Sequence, residues 1–186
     1  MSQEGKPGVV FDCVAFLQAA IRPTGPAALA LRLLDAGRFV LFVSDDVLRE
    51  LRDVLSRPKV QRKNPALTPE GAQIFVEWLS ERSVHLNEVP RRFAYPRDPD
   101  DEPYVNLALA AEARYLVTRD TDLLDLMRQD LPTGQEFRRQ FPGLTILDPA
   151  AFLRELPASR EETKGPDQPA PEQEQSEADS PKAPEV

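Results

Sequence analysis

The chain has 186 residues, with 23 lysines and arginines against 31 aspartates and glutamates, a formal net charge of −8. That length builds one α/β domain with a core of its own, and the acidic balance argues against a protein that holds nucleic acid on a broadly basic surface. A single cysteine, Cys13, excludes an internal disulfide. No run approaches the ~18 apolar residues of a membrane span and the N-terminus lacks a signal-peptide pattern, so no membrane association and a cytoplasmic location are expected.

The charge is unevenly spread. Residues 157–186 hold six of the 19 prolines, almost no large apolar side chain, and eight acidic against three basic residues, so they carry five of the eight net negative charges. This composition predicts a disordered acidic tail behind a folded domain over 1–156 that is close to neutral.

In chain order, Val9, Val10 and Phe11 form a short apolar run ending on Asp12, which predicts a first strand with a carboxylate at its carboxyl end. Residues 16–21 suit a helix, stopped by Pro23, Thr24, Gly25 and Pro26. A second helix over 26–36 buries Leu29, Leu33 and Leu34, with Gly37 placed for a left-handed cap. Residues 39–43 predict a second buried strand. Ser44 then caps a helix with Asp45 and Asp46 in its first turn, running to about Arg57 before Pro58. Its apolar stripe is Val47, Leu48, Leu51, Val54 and Leu55, and Glu50 falls at the stripe's margin, placed to look into a crevice. Arg49, Arg52, Arg57, Lys59, Arg62 and Lys63 make a local basic run, either a solvated helix face or a weak RNA contact.

Another helix opens at Thr68 and Pro69 and packs Trp78 as core. Residues 84–89 read as extended and 93–100 as a loop into an acid cluster, Asp98, Asp100, Asp101 and Glu102. Pro103 begins a helix to about Ala113, residues 115–118 a buried strand, and Asp120 stands two residues beyond it. Asp122 is expected to cap a short helix, 128–143 to be a polar connection, 144–147 a last strand, and Asp148 with Pro149 to open a closing helix to Leu156. The alternation predicts a three-layer α/β/α sandwich with a mostly parallel central sheet.

Such a sheet gathers ligand-binding loops beyond the carboxyl ends of its strands. Asp12 and Asp120 end strands, Asp101 starts a helix and Glu50 lies in a helix that follows a strand. Four carboxylates gathered without cations repel one another, and a divalent cation removes the conflict. Oxygen donors without Cys/His spacing favour Mg²⁺ or Mn²⁺, which orient and activate water and stabilise charge on a phosphoryl group.

Three stretches carry a family resemblance: Asp12 after its strand, "SDDVLRELRDVLSRPK" from Ser44, and "RDPDDEPYVNLALAAEARYLVTRDTDLL" from Arg97. Over about 8–156 the chain resembles the PIN domain, and more closely its bacterial branch of toxin components of toxin–antitoxin pairs. The resemblance implies a Mg²⁺- or Mn²⁺-dependent endoribonuclease whose metal-binding and catalytic acids are Asp12, Glu50, Asp101 and Asp120, with Asp122 as an auxiliary acid. Cys13, Ser44 and Thr118 are expected to stand behind these acids, and Arg49, Arg52, Arg57, Lys59 and Arg119 to touch RNA weakly. It also implies an RNA substrate and a cognate antitoxin protein, and leaves a homo-oligomer open. The chain departs from the family where Cys13 and Val14 replace the usual Thr-Asn after the first acid. A thiol and an isopropyl group do not hydrogen-bond comparably, and losses of such support around metal ligands cost about 10–100-fold in affinity or activity. A PIN-like domain that binds RNA or protein without cutting is therefore the competing reading.

Other chemistries fit less well. Cys13 has no basic partner nearby in sequence, and the only histidine, His85, reads as structural or surface. The acid run lacks the glycine and closing glutamate of a calcium loop, and Val14 stands where a haloacid-dehalogenase-type phosphatase needs a second aspartate.

Overall fold

The computed structural model describes residues 5–156; the tail expected over 157–186 lies outside the described residues. Five short strands, β1 (Gly8–Phe11), β2 (Val40–Val43), β3 (Val84–His85), β4 (Tyr115–Val117) and β5 (Thr145–Leu147), form one sheet in the order β3-β2-β1-β4-β5, and every pairing is parallel. The expected α/β/α sandwich is present, with an all-parallel sheet. Parallel neighbours need helical crossovers, which cover the sheet and leave its strands buried. Val9, Val10 and Phe11 of the central β1 are fully buried.

The helices are α1 (Cys13–Ile21), α2 (Pro26–Asp35), α3 (Asp45–Ser56), α4 (Pro58–Lys63), α5 (Pro69–Arg82), α6 (Glu102–Ala110), α7 (Thr121–Asp125), α8 (Pro132–Gln140) and α9 (Pro149–Glu155). α2 and α9 pack together on one part of the core, where Phe152 meets Phe11, Phe39 and Tyr115 edge-on at centroid distances of 5.9, 5.3 and 5.6 Å. α3 packs against α5 and α6, and α6 lies along β1, β2 and β4. Gly37 has φ +65° and closes α2: its N–H donates to Leu34 O and that of Arg38 to Leu33 O, the paired bonds of a glycine-terminated helix.

Several expectations shift. α1 begins at Cys13, because the Asp12 carboxylate itself caps it, three residues before the predicted start. Pro58 ends α3 and also opens α4, since a proline is tolerated where the first N–H would be unpaired. The expected extension over 84–89 pairs only at Val84–His85. The short helix α7 is capped by Asp120, whose carboxylate accepts from Asp122 N; Asp122 lies in its first turn.

The largest correction concerns 128–143. This is no polar connection: residues 132–140 form α8, with Phe137 buried. Its glycine is there for close packing, because a Cβ on Gly134 would stand 2.1 Å from Arg128 O and 2.9 Å from Asp125 O. Gly134→Ala is therefore expected to destabilise the protein by about 1–3 kcal/mol through overpacking, despite alanine's higher helix propensity. Urea denaturation checks this; an unchanged or raised midpoint contradicts the close-packing account.

Candidate functional site

Because all five strands run the same way, their carboxyl ends share one edge, and the residues that follow them there are Asp12, Ser44, Leu86, Thr118 and Asp148. β1 and β4 are adjacent, with Phe11 paired to Val117, so Asp12 and Thr118 leave the sheet side by side. The backbone N–H of Asp12 donates to Val117 O at 3.1 Å, continuing the ladder by one step.

Asp12 is 2% exposed. Its Oδ1 accepts from Ala15 N at 2.6 Å, its Oδ2 accepts from the Thr118 hydroxyl, and that hydroxyl oxygen accepts in turn from Asp120 N at 2.8 Å. Thr118, itself fully buried, thus ties the first acid to the backbone that carries the last one. Burial pushes the Asp12 carboxyl up to about 6; the Thr118 and Ala15 hydrogen bonds oppose the shift, and Asp120 and Glu50 add repulsion.

Asp101 ends a 3-10 turn over Pro99–Asp101 and leads into α6. Its Oδ2 is the one buried side-chain oxygen or nitrogen without a hydrogen-bond partner among the described residues. Its carboxyl is pushed up to about 7, first by burial and then by Asp120, Asp98, Asp12 and Asp122. The charges bearing on it most are therefore other carboxylates. Glu50 reaches the group from α3, where its Oε2 accepts from the Tyr104 hydroxyl of α6 at 2.6 Å. Asp122 is held by Arg97 at 2.5 Å, and its backbone carbonyl accepts from the Tyr95 hydroxyl at 2.9 Å.

The structure thus brings Asp12, Asp101 and Asp120 into mutual electrostatic reach, with Glu50 coupled to Asp12 and Asp122 to Asp101. Thr118 touches Asp12. Ser44 is buried, but its hydroxyl is spent on capping α3 by accepting from Val47 N at 3.3 Å. Cys13 is buried, and its thiol is pushed up to about 12 by burial and then by Glu50 and Asp12, so it stays protonated at neutral pH. Val14, beside it, is 41% exposed. Of the expected RNA contacts, Arg49 pairs with Asp46 and Arg57 with Asp53 on the exposed face of α3; Arg52 and Lys59 are exposed; Arg119 donates to Gln18 Oε1 at 3.1 Å.

Two features were missed in the sequence. The Tyr104 hydroxyl holds Glu50, a role that its place in the α6 sequence does not signal. Glu102 was grouped with the acid cluster, yet its carboxylate accepts from Tyr95 N at 2.6 Å and pairs with Arg91 at 2.8 Å, which holds it below the usual range and removes it from the pocket's charge.

Residues 8–122 match the family described as PIN domain. The chain belongs to the PIN domain family. An uncharacterised protein of Methanocaldococcus jannaschii is 28% identical over 72% of the chain and 90% of its own length. No solved structure matches significantly. Membership gives a nuclease-type fold in a family that generally uses divalent metal ions.

The oxygen-only acids suit such an ion: Asp101 keeps a buried oxygen unpaired, and Asp12 and Asp101 are each pushed up by burial and then by neighbouring carboxylates. Among the described residues, however, no three His, Cys, Asp or Glu side chains form a group arranged to hold a metal. Asp12, Glu50, Asp120 and Asp122 each have an oxygen engaged internally, although a carboxylate offers about four acceptor sites in all.

The raised acids make stability depend on pH. A carboxyl whose folded pKa exceeds its unfolded value stabilises the fold while protonated; this contribution is complete below about 3.8 and is lost as pH rises through about 6 for Asp12 and about 7 for Asp101. In chelator, the melting temperature is expected to fall between pH 5 and pH 8. Asp101→Asn should flatten that fall and melt higher than the parent at pH 8, by roughly 2–4 °C per kcal/mol gained. Calorimetry across this range tests it, and a parent that is most stable at pH 8 without metal contradicts it.

Proposed function

We propose that this PIN domain is a Mg²⁺- or Mn²⁺-dependent endoribonuclease acting in the cytoplasm, and the toxin component of a toxin–antitoxin pair, with an antitoxin protein as its cognate partner. The observation that carries the reading is the unpaired, buried oxygen of Asp101, whose carboxyl is pushed up by burial and by the carboxylates around it. Burying such a group costs stability, and a cation that binds there repays it.

In this reading Asp12, Asp101 and Asp120 hold the ion, Glu50 approaches from α3 and Asp122 supports from α7. The ion supplies a Lewis acid for the phosphoryl oxygen and lowers the pKa of water. The protein's own side chains set the geometry: Thr118 fixes the Asp12 carboxylate, Tyr104 fixes Glu50, and Arg97 draws Asp122 aside. A thiol and an isopropyl group at Cys13 and Val14 stand where Thr-Asn is usual, so part of the positioning falls to Thr118 and Tyr104.

A second reading, RNA or protein binding without cleavage, is favoured by the internal engagement of the acid oxygens and by Cys13-Val14. Incubating single-stranded RNA with the protein and Mn²⁺ or Mg²⁺ separates the two. Cleavage is expected, abolished by chelator and reduced by at least about 10–100-fold in Asp120→Asn, since a ligand should matter no less than its supports. Equal cleavage by both proteins sinks the nuclease; binding of RNA without cleavage by either supports the second reading.

A further inference from the structure

Beside the acids lies a feature that the metal chemistry leaves unused. Residues 91–97 read Arg-Arg-Phe-Ala-Tyr-Pro-Arg, a segment in which three cations interleave with two aromatic rings. The segment has no regular secondary structure, yet α6 fastens it at both ends. Asn106, 4% exposed, accepts through Oδ1 from Arg92 N at 2.7 Å and Phe93 N at 2.8 Å, and donates through Nδ2 to Phe93 O at 2.9 Å and Glu102 O at 3.0 Å. The full hydrogen-bonding capacity of one buried amide is spent here. Glu102 clamps Tyr95 N and Arg91 in the same way.

What this fixed segment faces is a cavity of about 500 Å³ bordered by α8, with Arg92, Phe93, Tyr95 and Arg97 of the segment and Phe137 and Glu136 of α8 in its wall. That volume falls within the range of small-ligand sites. Phe93 packs edge-on against Phe137 at 5.2 Å, giving the wall a rigid aromatic base. Two of its wall residues also reach the helix that carries Asp122: Arg97 binds Asp122 and Asp125, and the Tyr95 hydroxyl donates to the Asp122 carbonyl. Arg92 in the same wall is exposed; its Nη1 donates to Leu109 O at 3.5 Å, and among the described residues it pairs with no carboxylate.

We infer that this cavity takes one unpaired nucleotide of the RNA adjoining the nucleotide held at the acids, its base against Phe93, the half-buried ring of the wall, and its phosphate on Arg92. The inference rests on the ribonuclease reading and extends it to how the substrate is held. Aromatic walls bind bases of any sequence, and a cation beside them follows the backbone. The occupant is a single-stranded rather than a paired nucleotide, because the base must leave its stack to enter. The arrangement also explains how a protein of net negative charge places a cation where a phosphate must sit, while keeping Arg97's charge balanced by Asp122 and Asp125.

The test uses the full chain carrying Asp120→Asn, a fluorescein-labelled single-stranded RNA of mixed sequence, and anisotropy in Mg²⁺ over a range of salt. Arg92→Ala is expected to weaken binding about ten-fold and to reduce the slope of log affinity against log salt by about 0.7, the loss of one phosphate contact on a single strand. Ala94→Trp, at an exposed position in the cavity wall, fills the space instead: affinity should drop by a similar factor with the salt slope unchanged. Both substitutions lie at exposed positions, and unchanged melting temperatures establish that the variants are folded. If RNA binds the parent and both variants within two-fold of one another, the cavity inference is overturned while RNA binding stands. If the parent binds no RNA and the unsubstituted chain cleaves none, the ribonuclease reading falls and takes this inference with it.

Discussion

The register between β1 and β4 is the constraint from which the site follows. Phe11 opposite Val117 puts Asp12 beside Thr118, although 106 residues separate them, and a hydroxyl-to-carboxylate bond then joins the two strand ends. A slip by one residue would turn the side chains to the other face of the sheet and break that bond. It would also move Asp120, whose N–H donates to the same Thr118 hydroxyl oxygen. One buried threonine therefore sets the spacing between the first and last acids, and the apolar strands on either side of it hold the register in which it works.

The edge so formed is costly. Asp12 is almost wholly buried, Asp101 has an oxygen with no partner, and the neighbouring charges are of the same sign. A domain selected only for stability has no use for this combination, because a buried charge without compensation raises the free energy of the fold. The surrounding groups are arranged to limit the cost without cancelling it. Ala15 N and Thr118 satisfy Asp12, Tyr104 satisfies one oxygen of Glu50, and Arg97 neutralises Asp122 at the margin. The residual repulsion is concentrated on Asp101, the acid least occupied by the protein itself.

α6 has two roles here. One side of it carries Tyr104 to Glu50; another carries Glu102 and Asn106, both buried and both fully engaged with the loop ahead of the helix. The same nine residues thus connect the acid edge to the wall formed by residues 91–97. This explains why an irregular segment keeps a defined shape: its backbone donors and acceptors are satisfied by side chains of a helix that is itself packed on three strands.

The sequence by itself determined the local pieces. Apolar runs at residues 9–11, 39–43, 115–118 and 144–147 read as buried strands, within a residue of those observed, and Ser44, Thr68 and Asp148 mark helix starts by the chemistry of their side chains. The acids at strand ends were legible for the same reason, since a carboxylate just past an apolar run must lie at the sheet's edge. α8 was not legible: residues 128–143 read as a polar connection, while in the fold Pro132 is a first-turn residue and Gly134 admits the Arg128 carbonyl. Nor was the division of labour among the carboxylates. The family resemblance singles out Asp101 from Asp98, Asp100 and Glu102, but only the packed structure sends Glu102 to the loop and leaves Asp101 with an unpaired oxygen. Hydrophobic periodicity and capping act over a few residues and are written in the chain. Hydrogen-bond partners separated by 54 or 106 residues exist only once the strands have chosen their neighbours.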